Sequence, residues 1–119
     1  MKNFKKLKIW EQAMEVVRKT YSLSKQLPAA ERYGLTSQIT RAAVSIPSNI
    51  AEGSSRTTDK EKKRFAEIAL GSAFELETQL LIIKEIGWAN AEEWDKLMEC
   101  LHVEQRMINS YISTLKRNS

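Results

Sequence analysis

From Thr58 to Gly87 the chain offers about 28 consecutive residues with a start signal, a stop signal and no proline, a run that makes a helix of roughly 42 Å at 1.5 Å per residue. Thr58 can cap the start, with Glu61 three residues on to complete a capping box, and Gly87 suits a left-handed C-terminal cap. Phe65, Ile68, Ala69, Ala73, Leu76, Leu80 and Ile83 recur at helical spacing and are the expected core stripe. The whole chain has only 4 Gly and 2 Pro, too few for the turns of a β architecture.

Three more helices are expected around this one. The first runs from about Leu7 to Gln26, with Ile9, Ala13, Val16, Val17, Thr20 and Leu23 on its apolar side, widened by Trp10, Met14 and Tyr21. Pro28 ends it, because proline has no amide hydrogen and disfavours helix at Leu27. The second runs from about Leu35 to Glu52 with Leu35, Ile39, Ala42 or Ala43, Ile46 and Ile50 inside; Pro47 interrupts its hydrogen bonding, so a kink or short break is expected there, and Gly53 to Thr58 reads as a loop. The fourth starts at an Asn90 cap with Glu93 as reciprocal partner and carries Trp94, Leu97, Leu101, Gln105, Ile108, Ile112 and Leu115 in register. Acids in its first turn and Lys116 and Arg117 in its last suit the helix dipole. Short connections imply antiparallel neighbours, so the expected fold is all-α: a single domain over residues 1–119, an antiparallel up-down four-helix bundle with helix two kinked near Pro47.

A chain of 119 residues can bury a self-sufficient core. Its lone cysteine, Cys100, cannot form an intramolecular disulfide, which fits a reducing compartment. The basic N-terminus is followed by no apolar run of signal-peptide length, and the longest strongly aliphatic run, Leu80 to Ile83, is far too short to span a bilayer. A cytoplasmic protein without a membrane partner is expected.

Two surface patterns point to partners. Leu70, Phe74 and Leu81 lie together on helix three, roughly 140–180° from Phe65. On helix four, Cys100, Val103 and Met107 form an apolar flank. A monomer would expose both, so self-association through Leu70, Phe74, Leu81, Val103 and Met107 is expected, unless the helix is merely central or covered by the N-terminal segment. Charge is also segregated: residues 1–8 hold Lys2, Lys5, Lys6 and Lys8 and no acid, and residues 56–64 hold Arg56, Lys60, Lys62, Lys63 and Arg64 against Asp59 and Glu61. Residues 90–104 are acidic, with Glu92, Glu93, Asp95, Glu99 and Glu104 against Lys96. The net charge of +4 permits an acidic partner such as RNA, DNA or an anionic surface without requiring one. On helix two, Arg41, Ser45, Ser48 and Glu52 share a polar face, with Asn49 beside it. That face reads either as a phosphate or partner site, or as structure: Arg41 paired with Glu52 or Glu75, and Asn49 satisfying carbonyls freed by Pro47.

Catalytic chemistry is not visible. Cys100 and His102 are two residues apart on a helix and diverge by about 200°, so they form neither a metal pair nor a nucleophile–base pair, and His102 reads as a surface residue. Glu75 and Glu77 diverge likewise. No Glu-x-x-His repeat and no Gly-rich phosphate loop occurs; Gly71 before Ser72 inside helix three reads as a site of close helix packing. No catalytic residue, cofactor, metal or small-molecule substrate is expected.

The segment from Tyr33 to Gly53, and within it the pattern Arg-Ala-Ala-x-Ser-Ile-x-x-Asn-Ile-Ala-Glu-Gly from Arg41 to Gly53, resembles a known family, as do Phe4 to Trp10 and Ile68 to Glu77. Together these stretches resemble the four-helix-bundle proteins encoded in intervening sequences of bacterial 23S ribosomal RNA genes, a family similar to the accessory variability protein of diversity-generating retroelements. The resemblance implies a four-helix bundle assembled as a homopentamer and, through the retroelement relative, contact with nucleic acid and with a nucleic-acid enzyme. Two functions are therefore expected as alternatives. One is a non-enzymatic oligomer that binds structured RNA or other nucleic acid through Lys5, Lys6, Lys8, Arg56, Lys60, Lys62, Lys63 and Arg64; the other is a scaffold that recruits a partner protein without touching nucleic acid.

Overall fold

The computed structural model describes residues 3–118. It contains four long helices: α1 (Lys8–Ser24), α2 (Leu35–Ser54), α3 (Asp59–Ile86) and α4 (Ala91–Asn118). Short 3₁₀ turns at Phe4–Lys6 and Ala29–Glu31 precede α1 and α2, and no strand occurs among the described residues. Each helix packs on two others, α1 on α2 and α4, α3 on α2 and α4, so the four stand at the corners of a square in chain order. The body measures 45 × 22 × 20 Å, its long dimension set by α3 and α4. This is an all-α four-helix bundle. Ser45 meets Ser72, while Gly53 meets Phe65, so residue numbers rise along α2 as they fall along α3. The same reversal relates α1 to α4, where Gln12 meets Cys100 and Gln26 meets Glu93.

The helix ends follow from local chemistry. The Thr58 hydroxyl accepts the amide hydrogen of Glu61 at 3.1 Å, and Gly87 at φ 85° closes α3 by donating to Ile83 O at 2.9 Å. Asn90 Oδ1 accepts from the Glu93 amide at 3.0 Å, but the Glu93 carboxylate does not return the bond as expected. It accepts instead from the Gln26 side chain, whose other end accepts the Asn90 amide hydrogen at 2.6 Å. One glutamine after α1 thus binds the start of α4 at two points. At α2 the Glu31 carboxylate accepts the Leu35 amide hydrogen at 3.1 Å, a cap that lies four residues ahead of the helix.

α2 runs unbroken through Pro47 and extends to Ser54, past the expected loop start, so Gly53 is helical and buried. Asn49 does not serve the carbonyl of Ala43 that Pro47 leaves without its usual donor. Its amide donates to Ser45 O at 2.8 Å and to Ser45 Oγ at 3.0 Å. The core holds Ile9, Ala13, Val16, Leu23, Ile39, Ala42, Ala43, Ile46, Ile50, Leu97, Leu101 and Ile108, with Thr20 satisfied by donating to Val16 O at 2.7 Å. Burial of each of the larger aliphatic side chains contributes about 2 kcal/mol.

On α3 the buried stripe is Ala66, Ala69, Ala73, Leu76, Leu80 and Ile83. Ile68, expected inside, is 42% exposed, and Phe65 is only half-buried. α2 and α3 approach closely at Gly53, where a Cβ would meet the Cβ of Phe65 at 2.8 Å. Gly71, expected to mark that close packing, is exposed with nothing within 4 Å of a built Cβ. No described helix is long and apolar enough to cross a membrane.

Candidate functional site

The square arrangement brings separated basic segments to one end of the bundle. Phe4 packs edge-on against Trp10 with ring centroids 5.4 Å apart, and both line a groove with Pro47, Ser48 and Ala51, which fixes the N-terminal turn beside the end of α2. The Arg56 guanidinium lies 4.8 Å from the Phe65 ring centroid, folding the α2–α3 connection onto α3. Tyr111, late in α4, is near enough to feel the Asp59 carboxylate; burial first, and then that charge, raises its pKa. Lys5, Lys6, Lys8, Arg56, Lys60, Lys62, Lys63 and Arg64 therefore lie toward the same end of the bundle, the first three at the α1 corner and the others from the α2–α3 connection into α3, and Lys116 and Arg117 extend the same end from α4. Lys62 and Lys63 are half-buried and the other six of the first eight are exposed. None of those eight makes a salt bridge among the described residues. Lys2 lies outside the described residues.

The opposite end carries Glu85, Glu92, Glu93, Asp95 and Glu99, of which Glu92 is paired with Lys96 at 3.2 Å. Glu104 does not belong to this acidic surface. It is fully buried on the inner face of α4, between Leu101 and Ile108, and neither carboxylate oxygen has a hydrogen-bond partner. Burial pushes its pKa up to about 9, so it is a neutral acid at pH 7. The neighbouring Gln105 donates to Glu77 at 2.8 Å, which lowers the Glu77 pKa with help from His102 at 3.4 Å. His102 is thus a half-buried partner of Glu77 rather than a bare surface group. Cys100, expected on an exposed flank, is only 8% exposed and its Sγ lies 3.2 Å from the Gln12 amide nitrogen; burial raises its pKa.

The polar face of α2 divides. Ser45 and Asn49 are half-buried against α3, where the Ser45 and Ser72 hydroxyls are 2.8 Å apart, whereas Arg41 and Glu52 are exposed. Arg41 forms no salt bridge with Glu52 or Glu75 among the described residues. It shares a cleft of about 350 Å³ with Gln38, Ser45, Ser72 and Glu75.

Of the apolar candidates, Phe74 and Leu81 are 50% and 47% exposed. Leu70 and Met107 are half-buried and pack against the core, and Val103 is half-buried. Ile68, Ile82 and Ile86, which periodicity did not single out as surface groups, add exposed apolar area to α3. A second apolar surface lies between α1 and α2: Trp10, Met14, Val17, Val44 and Pro47 line a groove, and Tyr21 and Val44 line its continuation.

The model of the 23S rRNA-intervening sequence protein family matches residues 5–110. The chain belongs to that family. The crystal structure of a protein of unknown function from the S23 ribosomal protein family of Bacteroides thetaiotaomicron superposes with a TM-score of 0.81 at 21% identity, covering 87% of this chain and 97% of that one. That likeness supports the bundle itself. Comparison with curated proteins gives no match. The matched region takes in both basic segments and the Arg41–Gly53 motif, and stops short of Lys116 and Arg117.

Proposed function

We propose that the chain is a non-enzymatic, self-associating bundle protein that binds structured RNA or other nucleic acid by phosphate contacts at its basic end. The observation that carries this reading is that eight lysines and arginines, from segments some fifty residues apart, lie toward one end of the bundle and make no salt bridge among the described residues. Cations left unpaired beside one another repel, and nearby phosphates relieve that repulsion while releasing condensed counterions. Lysines dominate the set and no ordered fork of side chains is present to read base edges, so binding should depend on shape and charge more than on sequence. A cyclic assembly, pentameric as the resemblance implies, would present several basic ends on one particle and raise avidity. The lone buried thiol and the absence of a spanning helix among the described residues fit a cytoplasmic setting.

The test is a fluorescence-anisotropy titration of a structured RNA hairpin at 50 and 200 mM salt. If about six phosphates are engaged, affinity falls about a thousand-fold between these conditions. No binding at 50 mM salt overturns the reading. A second reading, recruitment of a protein partner, is favoured by the exposed apolar residues on α3; it predicts that reversing Lys62 and Lys63 leaves function unchanged.

A further inference from the structure

We propose that Arg56, laid against the Phe65 ring, is a stacking seat for an unpaired base, so that the basic end takes loops or bulges of RNA in preference to uninterrupted duplex. This rests on the nucleic-acid reading above and names the form of RNA that the same end prefers. Arg56 has little freedom. Only four residues, 55–58, separate α2 from α3. The Arg56 amide donates to Gly53 O at 3.1 Å, and Gly53 is buried so close to α3 that an added Cβ would lie 2.8 Å from the Phe65 Cβ. Two residues further on, the Thr58 cap fixes the start of α3. The backbone that carries Arg56 is held from both sides.

The side chain is placed as well. Its guanidinium carbon is 4.8 Å from the Phe65 ring centroid, within cation–π range. Glu52, Asp59 and Glu61 stand close in sequence, yet Arg56 forms a salt bridge with none of them. Phe65 is half-buried and covers one side of the guanidinium; Arg56 is exposed, so the other side is open to solvent. A planar cation seated on a ring is a platform on which an unstacked base can lie, a role that the point charge of a lysine does not fill. Lys60, Lys62, Lys63 and Arg64 follow on the first two turns of α3 and supply charge for the flanking phosphates. Bases within a duplex are already stacked and paired, so a duplex offers phosphates to these side chains but no free face to Arg56. Stacking engages the face of a base and not its edge, so it favours unpaired nucleotides without reading their sequence.

Two RNAs with equal numbers of phosphates decide the matter: a hairpin with 2-aminopurine in its loop, and a blunt duplex with 2-aminopurine at its centre, each titrated at 50 mM salt. The unaltered chain is expected to bind the hairpin about ten-fold more tightly and to change the fluorescence of the loop base. Arg56→Lys keeps the charge and removes the plane, so the loop preference and the fluorescence change are expected to vanish while the salt dependence of duplex binding stays as it was. Phe65→Leu, with its helices verified by circular dichroism, is expected to lose the preference too, because the guanidinium is no longer seated. Equal affinity of the unaltered chain for the two RNAs, or either variant keeping the loop preference, overturns the stacking seat and leaves phosphate binding standing. No binding of either RNA overturns both.

Discussion

Glu104 holds a carboxyl group in the middle of an apolar core with neither oxygen hydrogen-bonded. Its pKa of about 9 against an ordinary value of 4.5 couples folding to proton uptake. Between those two values the folded chain keeps a proton that the unfolded chain releases, so stability declines as pH rises from about 4.5 toward 9, by about 1.4 kcal/mol per unit. At pH 7 the accumulated loss is about 3 kcal/mol. Glu104→Gln keeps the shape of the neutral acid but cannot ionise. Its urea midpoint should equal that of the unaltered chain at pH 4.5 and exceed it clearly at pH 8; parallel profiles in the two proteins would show that the carboxyl is not protonated in the fold. The position was half-legible. Leu97, Leu101, residue 104 and Ile108 step by four, three and four, the spacing of an inner face, but the residue type and the run of acids from Glu92 onward argued for the surface. Periodicity reports which side of a helix a residue occupies, whereas charge reports only where that residue usually prefers to be.

At the scale of the helices, what is local was readable and what lies between elements was not. Thr58 and Asn90 cap where their side-chain chemistry says they should, because a cap is settled within four residues. The partner that completes the Asn90 cap is Gln26, 64 residues away, and only the packing of α1 against α4 brings it there. The glycines make the same distinction. Gly53 and Gly71 look alike in sequence, yet one faces the Cβ of Phe65 and the other faces open space. Gly53→Ala should therefore destabilise the bundle by about 1–3 kcal/mol, since the obstructing atom belongs to the first carbon of a side chain and cannot swing aside. Gly71→Ala, placed in the Phe74→Asp/Leu81→Asp background to separate the helix from any contact between copies, should stabilise it by about 1 kcal/mol. Thermal unfolding of the two variants by circular dichroism checks both signs. The α3 stripe is displaced as well: Phe65 and Ile68 are the bulkier apolar residues of their turn, but Ala66 and Ala69 are the ones buried, and Phe65 lies half-buried against Gly53 of α2.

Over the whole molecule, the segregation of charge was plain in the sequence, but its meaning depends on the fold. Lys5 to Lys8 and Arg56 to Arg64 come to the same end of the molecule only because Phe4 and Trp10 are set against Pro47 and Ala51. The opposite end of the 45 Å body carries Glu85, Glu92, Glu93 and Asp95 beside Lys25, Arg32, Lys84 and Lys96, so positive charge falls off along the long axis as a gradient. Such a gradient orients an approaching polyanion toward one end. Lys62→Glu/Lys63→Glu should then weaken RNA binding and reduce the slope of log affinity against log salt by about two, if each lysine neutralises one phosphate. Lys96→Glu, at the opposite end and already paired with Glu92, should leave both affinity and slope unchanged. The paired comparison separates a localised phosphate surface from a general effect of net charge, because Lys96→Glu lowers the net charge as well. Equal losses per charge at the two ends would mean that RNA responds to the molecule's overall charge and not to the surface that the four helices assemble.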